Sequence, residues 1–258
     1  MYLLNRLKSY LEPLTLPKTV KCLVRGHIVL LRVDSQKELK RAKSFSRKEP
    51  DTLDWLDGIV KEGGVLYDVG ANIGQYSLYP AIGMAGKCTI HAFEPEALNF
   101  AKLNVNIHLN SLSSSIKAYP IALSGENKIS DFYINKMDYG QALHRLGTNL
   151  DNMNQSFEPE HIQGAISLTL DSIVYDYGLP CPTHIKIDVD GLEREIVSGG
   201  KRTLARAEVK SVLVEVSRVS QDNSDREWFI HFFADLGFKL ADYPDHHKRT
   251  GNLIFERP

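Results

Sequence analysis

The side chains able to do chemistry gather at three places in this sequence. The first is Asp68-Val-Gly-Ala-Asn-Ile-Gly74, which follows the apolar run Val65 to Val69. Gly70 and Gly74 let the backbone turn sharply and approach a ligand, and Asp68 sets a carboxylate at the turn. A dinucleotide site needs Gly-x-Gly-x-x-Gly here, so that pyrophosphate rests on a helix N-terminus. In this chain Asn72 stands at the second glycine position and Gln75 at the third. A carboxylate beside the turn repels pyrophosphate, yet it can accept a hydrogen bond from the ammonium of a methionyl group. The second place is Glu94, at the end of the run Thr89 to Phe93. An acidic side chain there can accept hydrogen bonds from both hydroxyls of an adenosine ribose. A plainer role is to favour the dipole of the following helix. Together the two places predict a site for S-adenosylmethionine.

The third place is Ile185-Lys-Ile-Asp-Val-Asp-Gly191. Asp188 and Asp190 fall on one side of an extended chain because side chains alternate with period two, which makes both candidate catalytic groups. In the plainer alternative one caps the next helix and the other pairs with Lys186. Glu215, in Ser211-Val-Leu-Val-Glu-Val216, adds a carboxylate on the neighbouring strand. Three such groups could hold Mg²⁺ with help from waters, but a salt-bridged set is the favoured reading and no metal ligand is assigned.

Groups so far apart in sequence need a scaffold that brings strand ends together. After a short N-terminal helix, Val20 to Val24 and Ile28 to Val33 flank Arg25-Gly26-His27 as a hairpin, and a charged stretch leads to a helix from Pro50 to Val60. A regular alternation follows: strand Val65 to Val69, helix from Asn72, strand Thr89 to Phe93, helix Pro95 to Leu109, strand Ile116 to Ile121. Pro80 should kink or end the first of these helices. The second, with Pro95 in its first turn, is read as burying Ala97, Phe100, Leu103 and Ile107. The stretch Ser124 to Pro180 is too long for an ordinary connection and contains strand-like Asp131 to Ile134 and Ile166 to Leu170, so it reads as an insertion over the active face. Strand His184 to Val189, helix Leu192 to Leu204, strand Ser211 to Val216 and a helix opened by the capping box Ser224-Asp-Arg-Glu227 come next. Phe238 to Tyr243 and Leu253 to Glu256 form a terminal hairpin. The expected fold is α/β and Rossmann-like: a seven-stranded, mostly parallel sheet with a terminal antiparallel hairpin and an insertion after the third strand. Residues 1–60 are read as an N-terminal extension with a β-hairpin and helices, and residues 61–258 as the cofactor-binding domain, with the insertion at about 125–180.

These motifs resemble the FkbM-type methyltransferases from about Lys48 to Glu215. The resemblance rests on Lys48-Glu-Pro-Asp-Thr-Leu, Val65-Leu-Tyr-Asp-Val-Gly-Ala-Asn-Ile-Gly74, Ala92-Phe-Glu-Pro95, Leu103-Asn-Val-Asn106, Ala122-Leu-Ser124, Leu170-Asp-Ser172 and Ile185-Lys-Ile-Asp-Val-Asp-Gly191 with Glu193. It implies a class I methyltransferase fold and methyl transfer from S-adenosylmethionine, commonly to a hydroxyl of a sugar or a polyketide-like product. Cofactor binding is implied for Asp68, Gly70, Asn72, Gly74 and Glu94, with Ala122 along the adenine and Asp188 facing the methyl group and acceptor. The family usually carries Glu where this chain has Asp190. Methyl transfer is an in-line displacement at a sulfonium, so the protein chiefly aligns the nucleophile and handles its proton. A carboxylate such as Asp188 within about 3 Å of the hydroxyl could take that proton. His144 and His184 are weighed as alternatives, though a histidine needs a located partner before it counts as a base. Phe132, Tyr133, Tyr139 and Phe157 of the insertion could stack on a sugar or enclose an apolar acceptor. Competing readings are a methyltransferase acting on an amine, an NAD-dependent oxidoreductase and a non-catalytic cofactor-binding module.

The remaining features bound the partners. Cys22, Cys88 and Cys181 are odd in number and lack Cys-x-x-Cys spacing, which argues against a disulfide framework or zinc site and for a reducing, cytoplasmic compartment. No apolar run reaches the roughly 20 residues of a membrane span, and no signal-peptide core is seen. Residues 1–50 hold twelve Lys/Arg against four Asp/Glu. They lack the interleaved aromatics of a nucleic-acid groove, so a solvated basic face is the reading and no nucleic acid is expected. The expected partner is a small-molecule or glycan acceptor, and a homo-oligomer is compatible with the chain.

Overall fold

The computed structural model describes residues 18–84, 87–150, 155–217, 224–241 and 250–258. The expected N-terminal helix lies outside them. Strands β1 (Thr19–Val24) and β2 (His27–Arg32) form the antiparallel hairpin. Its tight turn puts Arg25 and Gly26 at φ 47° and 87°, the left-handed geometry that two-residue hairpin loops need. The charged stretch that follows is a helix, α1 (Gln36–Lys48), opened by a full capping box between Ser35 and Glu38. After α2 (Pro50–Glu62) come β3 (Gly64–Val69), α3 (Gln75–Gly83), β4 (Cys88–Phe93), α4 (Ala97–Leu109) and β5 (Ile116–Tyr119). The insertion contributes β6 (Ala122–Leu123), β7 (Lys128–Ile134), β8 (Arg145–Leu146) and β9 (His161–Leu168), a separate sheet in the order β6-β9-β7-β8, and then α5 (Leu170–Tyr175). The pattern resumes with β10 (His184–Ile187), α6 (Glu193–Ser198), α7 (Lys201–Leu204), β11 (Ser211–Ser217), α8 (Ser224–Asp235), β12 (Lys239–Leu240) and β13 (Thr250–Glu256).

The main sheet has seven strands in the order β12-β13-β11-β10-β3-β4-β5. β11, β10, β3, β4 and β5 are parallel, and β13 is antiparallel to β11 and β12. This is the expected Rossmann-like arrangement with its terminal hairpin and its insertion after the third strand. The central strands are buried on both faces and therefore read as continuous apolar runs. One face packs with β1, β2 and α1 to α4 through Val24, Leu31, Phe45, Leu56, Leu78 and Leu103. The hairpin and the first helices thus share a core with the sheet. The opposite face packs with α5 to α8 through Leu170, Ile196, Leu204, Phe229 and Phe233.

Several boundaries differ from expectation for physical reasons. α3 begins at Gln75, because residues 71–74 turn through Gly74 at φ 92°, and it ends three residues after Pro80. α4 begins at Ala97; Glu96 is its N-cap, accepting from Leu98 N and Asn99 N, and Pro95 precedes it. Ala97 is exposed and Phe100 only half-buried, while Asn99, Lys102, Leu103, Asn106 and Ile107 are buried. Asn106 and Asn110 turn inward because they satisfy the free edge of β2, accepting from Arg32 N and Leu30 N at 2.8 and 2.9 Å. β5 stops at Tyr119, where the chain crosses to the second sheet, and β10 stops at Ile187. The expected helix Leu192 to Leu204 is broken at Gly199-Gly200, where a Cβ on Gly200 would sit 2.6 Å from Leu170 Cδ2. α8 is described from Ser224 onward, and the residues before it lie outside the described ones.

Candidate functional site

Strand register decides which side chains meet. Val214, Ile187, Val69 and Phe93 stand in one row across β11, β10, β3 and β4. The residue after each is Glu215, Asp188, Gly70 or Glu94, so four distant segments deliver their chemical groups to one line. The line crosses the gap between β3 and β10, where strand order reverses and open α/β sheets bind ligands. A cavity opens there, and Gly70, Asn72, Glu94, Ala122, Asp188, Asp190 and Glu215 all border it.

The residues expected at the cofactor divide into two groups. Gly70 borders the cavity at φ 80°, and a Cβ on it would lie 2.0 Å from the carbonyl oxygen of Asp188, so no other residue fits this crossing. Asn72, at φ 50°, donates its backbone N–H to Glu94 Oε2 at 2.7 Å. Glu94 Oε1 accepts from Glu96 N at 2.9 Å. Burial pushes the Glu94 carboxyl up to about 8, against these two backbone hydrogen bonds. Ala122 is a small, buried wall residue. Gly74 and Asp68 are outside this lining. A Cβ on Gly74 would meet Leu103 Cδ1 at 2.5 Å, so this glycine serves the packing of α3 on α4. Asp68 is 1% exposed beneath the turn and accepts from Ser77 Oγ, with Oδ1 unpartnered. Burial raises its pKa although Lys186 and Ser77 oppose the shift.

Lys186 organises the acidic end of the cavity. It stands directly opposite Asp68 on the adjacent strand and donates to Asp188 Oδ2 at 2.5 Å. Its side chain is 2% exposed, and its ammonium lies against the Tyr76 ring, 4.9 Å from the centroid. Burial opposes this charge, but Asp188, Asp68 and Glu49 outweigh it and hold the lysine protonated. Asp188 is likewise penalised by burial, yet Lys186 and a hydrogen bond from Glu215 hold its pKa well below the usual range. Glu215, repelled by the Asp188 charge and desolvated, is pushed up and carries the proton of the pair. The structure thus realises the alternative in which a carboxylate pairs with Lys186. Among the described residues no group of three His, Cys, Asp or Glu side chains is placed to hold a metal ion.

Asp190 does not cap α6, whose N-cap Leu192 makes no side-chain bond. Its Oδ2 accepts from Leu143 N at 2.5 Å, and its carbonyl accepts from Arg145, so it ties down a strap of the insertion, residues 138–146. Burial raises its pKa to about 6. The strap is fastened elsewhere too: Gly140 N donates to Asn99 Oδ1 at 2.8 Å, and Asn72 Nδ2 and Arg41 Nε donate to the carbonyls of Gln141 and Gly140, each at 2.7 Å. Arg41, Asn99 and Gln141 border the cavity and escaped the sequence reading. No spacing rule flags them, because they act on backbone groups far away in sequence. Of the insertion aromatics, Phe132 borders the cavity, while Tyr139 lies under Lys102 Nζ, 4.2 Å from its ring centroid. His144 borders the cavity, is 8% exposed and has no partner on either ring nitrogen. His184 instead binds Ser211 Oγ at 2.7 Å beside Trp55, in the core.

Comparison of the sequence with known proteins points to one family. The profile of the Methyltransferase FkbM domain matches residues 68–240, well over half of the chain. The hexuronic acid methyltransferase AglP of Haloferax volcanii is 27% identical over 207 residues, covering 75% of this chain and 72% of its own. The 31-O-demethyl-FK506 methyltransferase FkbM of Streptomyces tacrolimicus is 27% identical over 161 residues, 54% of this chain and 60% of its own. The crystal structure of a methyltransferase FkbM from Methylobacillus flagellatus KT superposes with a TM-score of 0.51 at 15% identity, over 86% of this chain and 55% of that one, and shares its fold. No helix among the described residues is long and apolar enough to cross a membrane.

Proposed function

The chain belongs to the FkbM methyltransferase family, and from that premise we propose that it moves the methyl group of S-adenosylmethionine to a hydroxyl oxygen of a sugar or natural-product acceptor. The observation that carries this reading is the row of Glu215, Asp188, Gly70 and Glu94 along one cavity. The cavity suits the donor: Gly70 leaves room at the turn, Ala122 offers a small apolar wall for adenine and Glu94 faces the ribose position. The donor, when bound, supplies an activated methyl group and a neutral leaving group. Asp188, fixed by Lys186, holds the reacting pair in line, and the strap, tied down by Asp190, limits water at the reacting atoms. Both curated relatives support an oxygen acceptor, one being named for a hexuronic acid and the other for an O-demethyl compound.

The test is incubation with methyl-labelled donor and a panel of methyl hexosides and methyl hexuronosides. Label should enter a base-stable methyl ether. Label in a base-labile carboxyl ester, or transfer to amines and not to hydroxyls, would count against the proposal.

A further inference from the structure

The four carboxylates along the cavity already have partners. Asp188 is bonded to Lys186 and Glu215, Asp190 to the strap, and Glu94 to two backbone N–H groups. His144 is different. The residue borders the same cavity and is 8% exposed, and its ring has both Nδ1 and Nε2 buried and unpartnered. Buried polar atoms are nearly always paired, so a ring left this way beside a ligand cavity is placed to meet a ligand. The ring is also held in position. Leu143 N, one residue before it, is bound by Asp190 Oδ2 at 2.5 Å, and Arg145, one residue after it, binds the Asp190 carbonyl. Phe132 lies against the imidazole with centroids 6.0 Å apart.

We propose that His144 is a catalytic residue that accepts the acceptor's hydroxyl proton as the methyl group moves. This rests on the methyl-transfer reading above. Burial lowers the imidazole to about 4, so at pH 7 it is neutral and one nitrogen offers a lone pair. In the step, a hydroxyl oxygen lone pair forms the bond to the methyl carbon. The carbon–sulfur bond breaks with its electrons going to sulfur, which becomes a neutral thioether. The hydroxyl proton passes to the imidazole, and from the imidazolium to water. The cavity loses a sulfonium charge as it gains an imidazolium charge, so its net charge is unchanged. Burial disfavours the imidazolium in the empty cavity, and the disappearance of the neighbouring positive charge offsets that penalty at the moment of transfer. The titratable groups sharing the cavity with His144 are Asp188, Asp190, Glu94, Glu215, Arg41 and Lys48.

His144→Gln keeps a donor and an acceptor of hydrogen bonds but cannot take the proton. With the glycoside panel, its kcat should fall by about 10² to 10⁴, with donor affinity by calorimetry within a few-fold of the parent. Tenfold weaker donor binding with saturated turnover intact would show that the ring touches the donor, and unchanged turnover would also overturn the proposal. A second measurement does not need turnover: nitrogen-15 shifts of the His144 ring, assigned by their loss in the variant. S-adenosylhomocysteine alone should leave them unmoved, and methyl glucuronide added to that complex should shift them. A shift with S-adenosylhomocysteine alone, or none with either probe, overturns the role of His144 even if the panel supports methyl transfer. If the panel gives no turnover with the parent, it is the choice of acceptor class that fails, and the S-adenosylhomocysteine arm still bears on His144, because a ring shift with that probe alone puts the ring on the donor and overturns the role.

Discussion

Replacing Lys186 by Met removes the cation on which the acidic end of the cavity depends. The lysine is 2% exposed, lies 2.5 Å from Asp188 Oδ2 and stands opposite Asp68 on the neighbouring strand. Removing one partner of a buried pair leaves the other charge uncompensated and costs about 3–5 kcal/mol. Asp188 retains 26% exposure and Asp68 can take up a proton, so the low end, about 3 kcal/mol, is expected. Urea unfolding at pH 7 should show it as a midpoint lowered by roughly 1 to 1.5 M at an unchanged slope of about 2–3 kcal/mol/M. Lys186→Met with Asp188→Asn leaves no orphan charge at Asp188 and should recover much of the loss, giving a coupling of about 1–3 kcal/mol. In the parent, the depressed pKa of Asp188 stabilises the fold above the model-peptide value of 3.8 and is lost as pH falls. Without Lys186 the sign reverses, because burial then raises the carboxyl, so the variant's deficit should narrow as pH falls toward 4. A single variant within about 0.5 kcal/mol of the parent, or a double variant as unstable as the two singles added, would refute the reasoning.

Gly70→Ala sets a Cβ 2.0 Å from the Asp188 carbonyl at a positive φ, so thermal unfolding should show a loss of at least 1–2 kcal/mol and donor binding should fail; parent-like binding would contradict this close crossing. Asn99→Ala orphans the Gly140 N–H and unfastens the strap, so about 1–3 kcal/mol of stability should go and acceptor KM should rise more than donor Kd; an equal rise in both would show that the strap does not favour the acceptor side. His91 and His144 are both lowered from 6.5 to about 4 by burial, so the unfolded chain binds protons that the folded chain does not. Relative to a His91→Gln variant, the parent should therefore lose up to roughly 3 kcal/mol of stability as pH drops from about 6.5 to 4, and the difference should level off below; a difference between their urea stabilities that stays constant across that window would contradict it.

Much of this site was legible because strand ends are legible. The apolar runs ending at Val69, Phe93 and Ile187 put Gly70, Glu94 and Asp188 where parallel strands deliver residues to a shared edge. Register supplied what the sequence could not: that Lys186 stands opposite Asp68, and that Gly70 must clear the Asp188 carbonyl. The strap was not legible, since its bonds join the backbone of Gly140, Gln141 and Leu143 to Arg41, Asn72, Asn99 and Asp190, contacts that leave no periodicity. α1 did leave a signal in Ser35 and Glu38, a capping box, but few apolar residues follow it and charge masked the helix. α4 misled in the opposite sense: apolar spacing pointed to Ala97 and Phe100, whereas the need of β2 for hydrogen-bond partners turned Asn106 and Asn110 inward.

The central claim, that this cavity binds the donor and does so through Glu94 far more than through Asp188, is tested most directly by calorimetry with S-adenosylmethionine on the parent and two variants. The account predicts one donor per chain for the parent. Glu94→Ala should bind more weakly by about 1–3 kcal/mol, the range for losing two ordinary hydrogen bonds to the ribose hydroxyls, or roughly 5- to 150-fold. Asp188→Asn should stay within a few-fold of the parent. A parent that does not bind the donor, or a Glu94→Ala variant that binds it as tightly as the parent, would contradict the account.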